Sequence, residues 1–146
     1  MRLKTKHNNR CLVWSAAMVL DENPHELLDE LGHDGLEVMN PQLPKPFCYR
    51  GHHKQEIVDL FFKRGICLLQ IELYPNFAPR RNIIASKEEC QARFADYLAS
   101  NDAILIGAKH AVAWCKLQQK IYDPNGRVYK IDEFQIREAL VAIRKI

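Results

Sequence analysis

Residues 11–20, CLVWSAAMVL, carry no charge, and their apolar side chains fall on every face of a helix. A surface helix needs one apolar stripe, whereas a helix that is apolar all round has to be enclosed. The segment therefore predicts a central helix near the start of the chain, with later elements folded around it. A length of 146 residues and a hydrophobic content of 47% allow this within a single domain spanning 1–146.

The rest of the chain supplies what encloses that helix. Asn23 and Pro24 open a second helix, which Gly32 ends. Three prolines in GLEVMNPQLPKPFCYRG (35–51) predict a long loop. HHKQEIVDLFFKR (52–64) reads as a helix and ICLLQIEL (66–73) as a strand. A second loop follows at 74–84, then a helix from Ser86 to about Leu98. AILIG (103–107), HAVAWCKL (110–117), QKIYD (119–123) and RVYKI (127–131) read as short antiparallel strands, with PNG as a turn. Asp132 and Gln135 open a final helix over EFQIREALVAI (133–143). Helices first and a run of strands later give an α+β layer arrangement, a central N-terminal helix packed on a small antiparallel sheet.

Composition narrows the function classes. A net charge of +3 is too small to point to nucleic acid. No apolar run approaches the ~18 residues of a membrane span, so no membrane partner is expected. The N-terminus lacks a signal-peptide apolar core, so the chain is expected to be cytoplasmic as synthesised, with signal-independent export as an effector as its alternative destination. Five cysteines form no CxxC pair and do not suggest a disulfide framework. Cys67 and Cys115 lie in apolar runs and read as core thiols. Cys48 with His52 or His53 makes one edge of a zinc site at most, because adjacent helical residues diverge by roughly 100°. No metal and no cofactor are expected.

Three residues at element ends carry chemistry. Cys11 begins the central helix, where backbone N–H groups and the helix dipole favour a thiolate and can stabilise an oxyanion. Alone, it reads equally well as a small apolar residue closing a helix end. His110 opens a strand and is the natural base near neutral pH. Asp123 ends the partner strand, where it can orient an imidazole or cap the Pro-Asn-Gly turn.

NNRCLVWSAAMVL together with GAKHAVAW and IYDPNG resembles the papain-like cysteine peptidase superfamily, closest to the compact peptidase domains that process double-glycine bacteriocin leaders. The resemblance covers about residues 5 to 131 and implies a papain-like fold with Cys11 as nucleophile, His110 as base and Asp123 as its orienter. It also implies a protein or peptide substrate whose peptide, isopeptide or glutamine amide is attacked. The family's oxyanion glutamine falls at Thr5 and Lys6 here, which leaves Asn8 or Asn9 to donate the amide. Leu12 replaces the usual glycine after the nucleophile. The loops at 35–51 and 74–84 are expected to flank a cleft, with Trp14, Tyr49 and Phe77 as substrate-binding candidates alongside Phe47 and Tyr74. The competing reading is a non-catalytic protein-binding module that keeps the same fold.

Overall fold

The computed structural model describes residues 1–5, 10–73 and 87–144. Asn8, Asn9, Tyr74, Phe77, Ser86 and the 74–84 loop lie outside the described residues. The first helix, α1 (Cys11–Leu20), buries an unbroken run from Val13 to Val19, as its uniform apolarity requires. Asp21 ends it in the left-handed conformation, at φ 56°. Helix α2 (Pro24–Leu31) starts where Asn23 Oδ1 accepts the His25 N–H at 2.9 Å and stops at Gly32, at φ 84°. Helix α3 (Lys54–Phe62) starts two residues later than expected, because His53 caps it. The His53 ring accepts the Gln55 N–H, and Glu56 accepts the His53 N–H in return.

One antiparallel sheet follows. It comprises β1 (Ile66–Glu72), β2 (Ala103–Ile106), β3 (Ala111–Cys115), β4 (Lys120–Asp123), β5 (Arg127–Tyr129) and β6 (Glu138–Arg144), in the order β1-β6-β2-β3-β4-β5. Helix α4 (Lys87–Ala99) lies between β1 and β2 in the chain, and a single 3-10 turn, Ile131–Glu133, precedes β6. The expected final helix is therefore a strand, and a central one. β6 pairs with β1 from Glu72↔Glu138 to Ile66↔Arg144 and with β2 on its other side. Ala139, Leu140, Val141 and Ala142 are consecutive buried residues because both faces of the sheet are covered there. An apolar run without alternation does not distinguish such a strand from a buried helix, and the long-range pairing decides.

The sheet separates two cores. On one face Val13, Met18, Leu27, Ile57, Phe61, Ile104, Ala113 and Leu140 pack around α1. On the other, Phe94 and Leu98 of α4 pack on Leu105, Val112, Trp114, Ile121 and Val141. Each fully buried Leu, Ile or Phe contributes ~1.5–3 kcal/mol relative to exposure, which holds α1 firmly against β3. Cys115 is buried, as expected. Cys67 is exposed, because β1 is the edge strand and turns Cys67 and Leu69 outward. The architecture is thus a mixed α+β fold with the N-terminal helix packed against a multi-stranded antiparallel sheet.

Candidate active site

Cys11 is the first residue of α1 and is partly exposed. The helix ladder begins with the Trp14 N–H donating to the Arg10 carbonyl at 3.0 Å, so the N–H groups of the first turn face the helix mouth. Arg10 occupies the cap position but makes no side-chain capping bond, and its guanidinium carbon lies 5.8 Å from the Trp14 ring centre.

His110 stands immediately before β3, and its carbonyl accepts the Gly107 N–H at 2.9 Å. The turn between β3 and β4, which includes Gln119 at φ 52°, folds the chain so that Asp123 at the end of β4 returns beside His110. His110 Nε2 lies 2.7 Å from Asp123 Oδ1. Asp123 is almost wholly buried, while His110 keeps 24% of its side chain exposed. Asp123 Oδ1 also accepts the Asn125 N–H at 2.8 Å, and its Oδ2 accepts the Tyr129 hydroxyl at 2.6 Å.

Two groups engage the ring. The Cys11 side chain hydrogen-bonds His110, which is the largest influence on its charge and raises the imidazole pKa. Burial opposes this, and the bond to Asp123 reinforces it. Nε2 is the nitrogen that meets Asp123. Burial pushes the Asp123 carboxyl up, but the Tyr129, Asn125 and His110 donors together outweigh it and hold the group below the usual carboxylate range. The Phe134 ring meets His110 edge-on at 6.3 Å.

The other anticipated contributors separate. Trp14, a candidate for substrate contact, is 5% exposed and donates its Nε1–H to the Thr5 carbonyl at 3.0 Å. It packs the core because α1 is enclosed on that side. Trp114 is likewise buried, with its indole N–H on the Leu98 carbonyl. Tyr49 lies in the 35–51 loop, in an isolated bridge with Val38. In the same loop, half-exposed Phe47 lies with its ring centre 5.4 Å from Nζ of Lys109, the neighbour of His110. Thr5 passes the β4–β5 turn, where a Cβ on Gly126 would stand 3.7 Å from its methyl group.

A second histidine cluster lies at the N-terminus of α3. His33 Nε2 lies 2.7 Å from Glu56 Oε1, and the His33 and His52 rings stack at 4.3 Å. His53 is occupied as the helix cap. Among the described residues no group of three or more His, Cys, Asp or Glu is arranged to hold a metal ion, and no helix is long and apolar enough to cross a membrane.

Sequence reasoning missed Tyr129 and Phe134. Tyr129 had a legible signal: it lies six residues after Asp123 across a Pro-Asn-Gly turn, which brings it back along the neighbouring strand. Phe134 had none, because its segment reads as helix. No protein-family model matches this chain, and no curated protein matches it.

Proposed function

We propose that the chain is a thiol hydrolase or acyl-transfer enzyme of papain-like architecture, acting on a peptide, isopeptide or glutamine amide of a protein substrate. One observation carries this reading: His110 lies 2.7 Å from the nearly buried Asp123 carboxylate and hydrogen-bonds the side chain of Cys11, the first residue of α1. Each of these residues has an ordinary structural use alone. A thiol, an imidazole and a nearly buried carboxylate in series have a chemical one.

In this reading His110 takes the Cys11 proton on Nδ1, and the thiolate attacks the substrate carbonyl carbon. The carbonyl oxygen gains the negative charge and is met by the Cys11 N–H at the helix mouth, where the helix dipole favours an anion. The carbon–nitrogen bond breaks as His110 returns the proton to the departing amine. Water, deprotonated by His110, then opens the thioester, releases the carboxylic acid and restores the thiol. Asp123 keeps Nε2–H paired throughout and stabilises the imidazolium. Phe47 and Tyr49 supply apolar contact for a polypeptide on the flank of the site.

The test is brief iodoacetamide treatment at pH 6, read by mass spectrometry. Selective labelling of Cys11 is expected, slowed about a hundredfold in H110A. Exposed Cys67 serves as the ordinary-thiol reference. Labelling of Cys11 no faster than Cys67, and indifferent to H110A, overturns the reading and leaves a binding module.

A further inference from the structure

The carboxylate of Asp123 has two jobs to reconcile. It must point one oxygen at His110 while remaining charged in a nearly closed site. Its Oδ1 is shared by His110 Nε2 and the Asn125 N–H, both on one side of the group. Those two contacts alone leave the carboxylate a hinge about its Cβ–Cγ bond. Oδ2 is held by one side chain, the Tyr129 hydroxyl, at 2.6 Å.

The sheet places that hydroxyl. Asp123 pairs with Arg127 and Ile121 pairs with Tyr129, so Tyr129 is the diagonal neighbour of Asp123 on the same face. Diagonal pairs across antiparallel strands are within reach of an aromatic side chain. The Arg127 guanidinium carbon lies 5.0 Å from the Tyr129 ring centre, and Arg127 itself reaches Glu133. Burial, followed by the hydrogen bond to Asp123 and then its charge, pushes the Tyr129 phenol far above its ordinary pKa. The hydroxyl therefore keeps its proton and acts only as a donor toward Asp123 across the neutral range.

We infer that Tyr129 is a positioning residue that locks the Asp123 carboxylate, and through it the His110 ring, in the orientation that turns Nδ1 toward Cys11; this rests on reading the three as a triad. Removing the hydroxyl while keeping the ring frees Oδ2 and lets the carboxylate turn. His110 then loses its fixed tautomer, with proton occupancy divided between its two nitrogens. Tyr129 acts through its hydroxyl on Asp123 Oδ2, so its effect vanishes once Asp123 can no longer serve as an anion.

A double-mutant cycle on the full chain tests this. Y129F is expected to slow Cys11 alkylation at pH 6 by about tenfold, the scale of one lost hydrogen bond to a charged group. D123N slows it further, and Y129F/D123N is no slower than D123N alone. A purely structural tyrosine gives independent losses that multiply, which overturns the inference, as does an unchanged rate in Y129F. The second readout does not need a reactive thiol. In the C11A background, nitrogen NMR of His110 is expected to show proton occupancy on Nε2, with a mixed tautomer when Y129F is added. An unreactive Cys11 with the tautomer shift present defeats the enzyme reading and keeps the Tyr129–Asp123–His110 coupling. A tautomer unmoved by Y129F defeats the coupling itself.

Discussion

Two histidine clusters stand on this fold, and they are built to opposite ends. At the β3–β4 end, His110 has the Asp123 carboxylate at Nε2 and hydrogen-bonds the Cys11 side chain, and its charged form is favoured. At the start of α3, His52 stacks on another imidazole and donates to a backbone carbonyl, and burial pushes its pKa down. The carboxylate there, Glu56, is bonded to His33 and to the His53 N–H and not to the His52 ring. Burial lowers both rings, so what separates the clusters is the partners: His110 bonds the Cys11 side chain first and the Asp123 carboxylate second, whereas His52 has neither. One arrangement favours a charged imidazole beside a thiol, as the proposed chemistry requires. The other fastens the 33–53 segment onto α3.

The sharpest way to break this comparison is to neutralise each carboxylate in turn. D123N keeps the shape of Asp123 but gives His110 the wrong partner. It should lower Cys11-dependent turnover by on the order of a hundredfold to ten-thousandfold once a substrate is in hand. E56Q should leave Cys11 alkylation unchanged. Equal losses in the two variants would erase the distinction. A smaller effect is expected at Gly35, where φ is +74° and an added Cβ would lie 2.7 Å from His52 Cε1. G35A should destabilise the protein by about 2–3 kcal/mol in urea unfolding, from backbone strain and displacement of the stack. A loss below about 0.5 kcal/mol would show that His52 is not fixed there. E56Q itself should cost ~1 kcal/mol, because it weakens one His33 contact and the reciprocal cap at His53.

Part of this was legible from the chain and part was not. The helix of residues 11–20 was legible because nothing but enclosure suits a helix without a polar face. Cys11, His110 and Asp123 were legible as element ends, since the turn between β3 and β4 is short enough for local order to bring the last two together. The strand β6 was not. Its partners, β1 and β2, lie more than thirty residues earlier, and EALVAI satisfies helix and central strand equally. The stack of His33 on His52 was hidden for a related reason: 19 residues separate them, and a loop rather than a periodic element closes the distance. Trp14 was a candidate for substrate contact as well as for core packing, and it packs the core. The enclosure already inferred for α1 places it in the core.

The finest discrimination comes from pH, where the two clusters should act with opposite sign. The folded pKa of His110 is raised, so its contribution to stability is complete below the ordinary imidazole value of 6.5 and is lost as pH rises through the folded value. The folded pKa of His52 is lowered, first by burial and then by the neighbouring charges of His33 and Arg10, against the opposing pull of the His33 carbonyl and Glu56. The unfolded chain therefore protonates at His52 before the folded one does, and stability declines as pH falls below 6.5. Thermal unfolding of H52Q between about pH 6.5 and pH 5 should be flatter than that of the parent protein. H110Q should be flatter on the alkaline side, because the decline above neutrality is the one His110 contributes. If the two substitutions flatten the same limb of the curve, the imidazoles share one environment and the contrast between the clusters fails. If each flattens its own limb, the same side chain has been set to two opposite uses by its partners: a thiol and a carboxylate at His110, burial against another imidazole at His52.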